Sequence, residues 1–347
     1  MTSRRSLCLL ITALLAVPSL AACGAGDSGG SAGDGSLLTI YSGRDAEYVA
    51  PIIDRFRKAH PDIHVKVRYG DSAELAATIR EEGDRSPADL FFSQDAGALG
   101  ALQGVGLLKK LPQATLDRVP AEFNSAAGDW VGVTGRVRVL AYDSRKLKEA
   151  DLPASVFDLT QPRWKGKIGW APTNASFQSF VTGMRKVEGD AKTKAWLEAM
   201  KANGTQAYEK NGIIRDAIAS GEIEAGLINH YYIIEGRTAG EVKGNDYPVH
   251  LHFFPNGDIG TMVNVSGIGI LSGAGQQANA QRFIDFVLER PQQEYFARDV
   301  GEYPLIPGVP QDPSLPPFAS ITRPKVNLAD LADLQGTQAL LQQAGVL

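Results

Sequence analysis

The chain alternates short apolar runs with segments whose apolar residues recur every three to four positions. "LLTIYS", "HVKVRY" and "ADLFFS" are runs of the first kind, and they precede the helical patterns "AEYVAPIIDRFRKAH", "SAELAATIREEG" and "QDAGALGALQGVGLL". Gly83 is predicted to end the second of these helices, because glycine is favoured just after a helix C-terminus. An alternation of strand and helix is typical of an α/β fold.

A second series of strands and helices begins after Trp130. The strand "RVRVLAYD" has the length and position of a crossover between two domains, and "KIGWA" and "AGLINH" precede the helical patterns "NASFQSFVTGMRKVEG" and "YYIIEGRTAGE". The run "VNVSGIGIL" predicts a returning strand. The segment "QANAQRFIDFVLER" predicts an amphipathic helix with Phe283, Phe286 and Val287 on one face. The pattern therefore predicts two α/β domains.

Polar residues stand at equivalent places, directly after four of the predicted strands. In chain order they are Asp45, Gln94, Asp95, Asn174, Ser176, Tyr231 and Tyr232. In open α/β sheets, ligands bind outside the carboxyl ends of the strands. Two such sheets that face one another would bring these loops together across a cleft.

The N-terminal segment differs in composition from the rest of the chain. Arg4 and Arg5 precede an apolar run that ends in small residues before Cys23, which predicts a signal peptide over residues 1–22. The ending "LAAC" resembles the bacterial lipobox, so Cys23 is predicted to carry the acyl chains of a membrane anchor. The alternative is an ordinary cleaved signal with an incidental cysteine. Residues 23–36 are predicted to form a flexible linker.

Composition and motifs exclude several kinds of site. The only cysteines are Cys8 and Cys23, so the predicted folded part has no thiol for a disulfide, a zinc–thiolate centre or a nucleophile. The chain has 35 basic and 39 acidic residues and no basic tract, which argues against a nucleic-acid partner. Outside the predicted linker of residues 23–36, the sequence contains no G-x-S-x-G motif, and it contains no H-E-x-x-H or P-loop motif. An extracellular hydrolase or transferase is therefore the weakest hypothesis.

Tyr231 and Tyr232 are adjacent where the chain is predicted to turn from strand to helix. Consecutive side chains of a strand point to opposite faces, so two phenols converge only where the backbone is irregular, as in the first turn of a helix. A phenol has a pKa of about 10 and becomes a ligand at neutral pH only when a strong Lewis acid such as Fe³⁺ displaces its proton. Two phenolates and one carboxylate, for example Asp45, would offset three positive charges. The alternative is an aromatic hinge or an apolar cleft wall.

Seven motifs extend this pattern over most of the chain. They are "YSGRDAEYVAP", "EEGDRSPADLFFSQDAGAL", "TGRVRVLAYDSRKL", "WKGKIGWAPTNASFQSF", "YEKNG", "INHYY" and "EYPLIPGV". In their order and spacing the chain resembles the periplasmic ferric-ion-binding proteins, the solute receptors of iron ABC importers. The resemblance implies a two-domain clamshell of the type II periplasmic-binding-protein fold, in which each domain is a mixed sheet flanked by helices and hinge strands join the two. We expect an N-terminal lobe of residues 37–137 and 262–312 and a C-terminal lobe of residues 138–261 and 313–347.

The resemblance also implies that Tyr231 and Tyr232 are iron ligands. The best-known members add a histidine in the first loop and a glutamate after the third strand, where this chain has Asp45 and Gln94. A carboxylate at position 45 is a harder donor and brings a charge. Gln94 would bind through its amide oxygen, hydrogen-bond a ligand water, or leave the task to Asp95. Asp95 is better explained as a carboxylate at a helix N-terminus.

Family members of this type complete the iron sphere with a small anion such as phosphate or carbonate. The matching positions here are Asn174, Ala175, Ser176, Asn211 and Asn229, although helix capping also explains the first and third. Other branches use a third tyrosine in this loop, and "PTNASF" has none, so we expect the anion-dependent type. Arg136 and Arg138 should point the same way, and they either balance charge near the cleft or pair with surface acids.

Together these expectations describe an extracytoplasmic lipoprotein that is a monomer and not an enzyme. It captures ferric iron with a synergistic anion and passes the metal to an ABC permease of the cell membrane. The competing hypothesis keeps the receptor but changes its cargo to a polyamine, thiamine or a small organic anion, with the tyrosines stacked on a ring or a cation.

Overall fold

The computed structural model describes residues 36–240 and 246–347. The predicted signal peptide, Cys23 and the linker up to residue 35 lie outside the described residues, as do residues 241–245. None of the helices within the described ranges has both the length and the apolar character needed to span a bilayer.

The first half of the sheet has the strand order β2-β1-β3-β9-β4. Strand β1 (Leu37–Ser42) is parallel to β2 (His64–Tyr69) and to β3 (Leu90–Ser93). Strand β9 (Val263–Ile270) lies antiparallel between β3 and β4 (Val131–Asp143). Strands β1 and β3 are buried almost throughout, which explains why they appear in the sequence as continuous apolar runs.

The second half of the sheet has the strand order β4-β7-β5-β6. Strand β7 (Ala225–Asn229) is antiparallel to β4 and parallel to β5 (Ile168–Trp170), which pairs in turn with β6 (Gln206–Ala207). Two short strands pair with β4 outside this order. They are β8 (Val249–His252) and β10 (Tyr303–Pro304).

Strand β4 belongs to both half-sheets. Its residues Val131 to Val137 pair with β9, and from Arg138 onward it pairs with β7. The predicted crossover strand is confirmed, but it begins at Val131 rather than at Arg136. The segment "VGVTG" escaped the prediction because its two glycines weaken the strand pattern.

Helices cover both half-sheets. Those that follow or pack on the first half are α1 (Ala46–Ala59), α2 (Ser72–Glu82), α3 (Ala96–Gln103), α4 (Gln113–Leu116), α9 (Gln277–Val287) and α10 (Arg290–Tyr295), which continues into a π-helical turn (Phe296–Val300). Those of the second half are α5 (Ala175–Glu188), α6 (Asp190–Ala202), α7 (Asn211–Ser220), α8 (Tyr232–Ala239) and α11 (Leu334–Gln343).

Several predicted details of these helices are confirmed. Phe283, Phe286 and Val287 are buried on one face of α9. Gly83 ends α2 with a φ of 56°, a conformation that side chains with a Cβ adopt rarely. Helix α3 ends five residues earlier than the predicted Leu108, because the chain turns there through Gly106 at a φ of 73°.

Candidate metal centre

A cavity of about 750 Å³ lies between the two halves of the sheet, beside the carboxyl ends of β1 and β3. Helices α1 and α2 contribute to one wall and α7 and α8 to the other. Four of the residues predicted for the site line this cavity: Asp45, Gln94, Asn174 and Tyr232. The predicted convergence of loops from both series of strands is therefore present in the structure.

The cavity lining is rich in carboxylates. Seven acidic side chains line it: Asp45, Glu47, Asp71, Glu74, Glu209, Asp216 and Glu235. Three cationic side chains accompany them: Arg44, Lys210 and Arg215. A cleft with this excess of negative charge concentrates cations at its entrance and repels free anions.

Tyr231 and Tyr232 lie side by side at one wall of the cavity, and only Tyr232 lines it. Strand β7 ends at Asn229, and Tyr231 already has the helical angles φ −68° and ψ −22°, so both tyrosines belong to the first turn of α8. Their rings stack at a centroid distance of 4.4 Å and an interplanar angle of 28°. Tyr232 lines the cavity, and Tyr231, which is 1% exposed, lies behind it.

Burial governs the ionisation of both phenols. It raises the pKa of Tyr231, while nearby Arg136 lowers it and Glu302 raises it. Burial also raises the pKa of Tyr232 well above its ordinary value, and the neighbouring Tyr231 raises it further. Both phenols are therefore protonated at neutral pH until a cation displaces their protons.

A buried ion cluster lies behind Tyr231. The Glu302 carboxylate contacts Arg44 Nη2 at 3.0 Å and Arg136 Nη2 at 2.9 Å. The guanidinium carbon of Arg136 lies 5.3 Å from the centroid of the Tyr231 ring. Two cations against one carboxylate leave an excess positive charge next to this ring, which favours a phenolate there.

Arg138 is a second buried cation in this region. Its guanidinium carbon lies 5.5 Å from the ring centroids of both Phe177 and Phe180. Its Nη2 donates a 2.7 Å hydrogen bond to the Leu227 carbonyl, and its Nε and Nη1 have no partner among the described residues. Burial lowers the pKa of Arg138 to about 9, although the two tyrosines raise it. The alternative that Arg136 and Arg138 pair with surface acids is wrong, because both side chains are buried.

Asp45 and Gln94 present free polar groups to the cavity, whereas Asp95 does not. Asp45 precedes α1, but its carboxylate makes no capping hydrogen bond and it is exposed. The backbone of Gln94 is held by two hydrogen bonds: its N–H donates to Ser72 Oγ at 2.9 Å, and its carbonyl accepts from the Arg136 side chain. Asp95 caps α3 and accepts a 2.7 Å hydrogen bond from Ser179 Oγ. The helix-terminal explanation of Asp95 therefore holds.

The predicted anion-binding residues cluster at the N-termini of α5 and α7. Asn174 Oδ1 accepts hydrogen bonds from Ser176 N at 3.1 Å and from Ser176 Oγ at 2.6 Å. Asn211 Nδ2 donates to the same Oδ1 at 3.3 Å, and the Asn211 Oδ1 atom is buried with no hydrogen-bond partner in the described part of the chain. Ala175 and Asn229 are buried nearby, the latter opposite Arg138 in the β4–β7 ladder.

A carboxylate from the other half of the molecule reaches this cluster. Burial raises the pKa of Asp71, while hydrogen bonds from the N–H groups of Ala73, Glu74 and Ala175 lower it. The first two belong to the cap of α2, and the third is the first residue of α5. A negative group thus already lies at the N-terminus of α5, where the backbone dipoles favour it.

His230 precedes the two tyrosines and is itself held in place by a hydrogen bond and a ring contact. Its Nδ1 accepts a 3.1 Å hydrogen bond from Val137 N, and its ring stacks on Tyr303 at 4.6 Å. Burial lowers the pKa of His230 to about 4, so the imidazole is neutral at physiological pH. Within the described ranges, no three His, Cys, Asp or Glu side chains are grouped so as to hold a metal ion.

Sequence reasoning missed several residues of this site. They are Arg44, Tyr48, Arg215, Glu235 and Glu302. Tyr48 could have been noticed, because it follows Asp45 by three positions at the start of a predicted helix and so lies on the same side of that helix. The other four carry no local signal that distinguishes them from surface charges.

The chain belongs to the family of bacterial extracellular solute-binding proteins, whose model matches residues 85–329. It is 35% identical, over 89% of its own length and 93% of the relative, to the major ferric iron-binding protein of Neisseria meningitidis. The crystal structure of iron-bound HitA from Pseudomonas aeruginosa is 36% identical and has a TM-score of 0.84, over 89% of this chain and 99% of that one.

A third relative was solved with citrate as well as iron. The Trichodesmium protein IdiA (FutA), solved in complex with iron and citrate ligands, is 28% identical with a TM-score of 0.75, over 89% of this chain and 99% of that one. These relatives confirm the resemblance derived from the sequence and the predicted two-domain α/β fold.

Proposed function

We propose that this protein captures ferric iron with the phenolates of Tyr231 and Tyr232 and delivers it to an ABC permease of the cell membrane. The observation that carries this proposal is the stacked phenol pair beside an acidic cleft, which Tyr232 lines, with the buried cations Arg136 and Arg138 nearby. The names of the relatives favour ferric iron over a polyamine, thiamine or a small organic anion as cargo. The function includes no covalent turnover.

Charge balance explains why these residues suit a trivalent ion. Two phenolates and the free carboxylate of Asp45 offset three positive charges, and Gln94 offers a neutral amide oxygen beside them. Because burial keeps the phenols protonated, each one that binds must release a proton. Iron affinity should therefore fall by about tenfold per phenol for each unit of acidification.

We further infer that a synergistic anion, phosphate or carbonate, completes the site at the N-terminus of α5. Its ligands would be Asn174, Ala175, Ser176, Asn211 and Asn229. Two observations support this inference: the N-terminus of α5 already attracts a carboxylate, that of Asp71, which the anion would displace from the Ala175 N–H, and the buried Asn211 Oδ1 lacks a hydrogen-bond donor among the described residues. A protonated oxygen of hydrogen phosphate or hydrogen carbonate would supply that donor.

We propose that the cleft opens between a lobe of residues 37–137 and 262–312 and a lobe of residues 138–261 and 313–347. The protein would act as a monomer outside the cytoplasmic membrane, held there by a lipid on Cys23. Closure of the lobes would exclude water from the metal and strengthen every charge interaction within the cleft.

An absorbance titration with ferric citrate tests the proposal. Tyrosinate–iron coordination should turn the wild-type protein orange-red, and Tyr231→Phe/Tyr232→Phe should stay colourless. Tyr208→Phe is the matched control, since Tyr208 bonds Glu222 and does not line the cavity. Equal colour in all three proteins would remove the pair from the site.

The same titration tests the anion. In buffer freed of phosphate and carbonate, the colour of the wild type should be weaker and should recover when either anion is added, but not in Asn211→Ala. A colour that is independent of both anions would show that citrate or a protein carboxylate fills this position.

A further inference from the structure

Tyr48 is a third phenol at the cleft, contributed by the opposite wall from Tyr231 and Tyr232. It lies on α1, one turn after Asp45, and is 7% exposed. Its hydroxyl donates a 2.7 Å hydrogen bond to Glu235 Oε2 on α8. Helix α1 packs beside the first half-sheet and α8 beside the second, so this bond spans the cleft.

Glu235 extends the connection to the backbone of the tyrosine pair. Arg215 Nη1 lies 3.0 Å from Glu235 Oε2 and also donates a 3.2 Å hydrogen bond to the Tyr232 carbonyl. The Arg215 side chain is largely buried, which reduces the screening of this ion pair by solvent. A continuous polar chain therefore runs from α1, through Glu235 and Arg215, to Tyr232.

The ring of Tyr48 makes a second contact with the pair. It meets the Tyr231 ring edge to face, with centroids 5.9 Å apart and an interplanar angle of 89°. Such edge-to-face pairs are favourable beyond the area they bury. The backbone of Tyr48 is fixed in turn, because its carbonyl accepts a 3.2 Å hydrogen bond from the Tyr295 hydroxyl.

We propose that Tyr48 is a positioning residue of the iron site. Its hydroxyl and Glu235 form a latch, the Tyr48–Glu235 latch, that holds the cleft closed around the tyrosine pair before and after the metal arrives. The inference rests on the proposed function and assigns a residue that controls how fast the site opens. The latch joins side chains 187 residues apart in the sequence, so it is lost when the two walls of the cleft separate.

The test compares Tyr48→Phe, which keeps the ring and removes the hydroxyl, with the wild type. Tyr208→Phe is again the control: it removes a hydroxyl that also bonds a glutamate at 2.7 Å, but away from the cleft. Iron-loaded protein is mixed with excess chelator and the loss of colour is timed. Because hydrogen bonds to charged acceptors are among the stronger ones, Tyr48→Phe should release iron about tenfold faster, and Tyr208→Phe at the wild-type rate.

Two further variants separate the latch from a general loss of structure. Glu235→Ala should speed release at least as much as Tyr48→Phe, because it also removes the ion pair with Arg215, and Tyr48→Phe should have little added effect in that background. Glu235→Gln, which keeps an acceptor oxygen, should lie between Glu235→Ala and the wild type. Additive effects, or wild-type release from Tyr48→Phe, would overturn the proposal.

The colour of the loaded protein distinguishes positioning from ligation. If Tyr48 only positions the pair, the absorbance per bound iron and its wavelength stay unchanged in Tyr48→Phe. A loss of absorbance per iron would identify Tyr48 as a ligand and overturn the latch.

A metal-free measurement keeps the latch separate from the proposed function. Small-angle X-ray scattering of the protein without iron should give a larger radius of gyration for Tyr48→Phe than for the wild type or Tyr208→Phe. Equal radii would overturn the latch. If the radii differ but the wild type takes up no ferric iron, the proposed function fails and the latch stands.

Discussion

Replacing Glu302 with glutamine tests whether the buried ion cluster behind Tyr231 stabilises the protein. Glu302 is fully buried, and its Oε1 accepts from Arg136 Nε at 3.0 Å. Its Oε2 accepts from Thr134 Oγ1 at 2.7 Å and from Arg44 Nη1 at 3.1 Å. Glu302→Gln keeps the shape of the side chain but leaves two guanidinium groups without a counter-charge.

The expected cost is about 3–5 kcal/mol of unfolding free energy, the usual penalty when one partner of a buried ion pair is removed. The glutamine amide destabilises the cluster further, because its NH₂ group is a donor and would face the donor groups of the two arginines. The matched control is Glu294→Gln, whose partner Arg290 lies at 2.7 Å in an exposed ion pair. Its cost should be about 0–1 kcal/mol, since solvent screens exposed pairs.

Urea denaturation followed by tryptophan fluorescence measures both variants. The pKa of the Glu302 carboxyl determines how the stability contributed by the ion cluster changes with pH. Although burial raises the pKa of Glu302, Arg44 and Arg136 outweigh it and hold the pKa below the usual 4.5. Because the pKa of Glu302 is lower in the folded protein than in the unfolded chain, the ionised carboxylate contributes its full stability at pH values above the unfolded pKa. This contribution is lost as the pH falls through the folded pKa. The difference between the wild type and Glu302→Gln should therefore shrink in acid. A Glu302→Gln protein within about 1 kcal/mol of the wild type at pH 7 would refute the reasoning.

Two further substitutions test the packing around the site. Arg138→Met should raise the thermal midpoint of the metal-free protein, because it removes a buried cation that makes a single hydrogen bond, and it should weaken ferric binding in the citrate titration. A lower midpoint would contradict the first expectation, and unchanged binding the second. Gly226→Ala should cost about 1–3 kcal/mol in urea denaturation, because its Cβ would lie 2.2 Å from Ile214 Cγ2. Gly275→Ala, with open space around its Cβ, should match the wild type, and equal midpoints for the two variants would show that the strand shifts to make room.

The alternation of strands and helices was visible in the sequence wherever the segments were long and strongly apolar. Helix α7 was missed because it begins with "NG", a pair that is typical of turns. Helix α7 packs against β7 and β4, and that packing has no local trace in the sequence.

Some residues of the candidate site were also predictable from the sequence, and others were not. Its loop residues were predictable because strand ends mark ligand positions in α/β sheets. The groups that set its electrostatics were not: Arg44 and Glu302 are 258 residues apart, and their pairing appears only once the chain has folded. Tyr48 is intermediate, since its spacing from Asp45 was visible but its partner Glu235 was not.

The junction at Val137 and Arg138, where β4 passes from β9 to β7, is joined directly to the residue that precedes Tyr231. Val137 exchanges two hydrogen bonds with His230: its N–H donates to the imidazole, and its carbonyl accepts from the backbone N–H. Flexing of β4 at this point would therefore also move His230, the residue that precedes Tyr231. If the proposed permease pulls the two proposed lobes apart, the same motion would twist the phenol rings out of alignment, so that mechanical work would eject the bound ion without a chemical reductant.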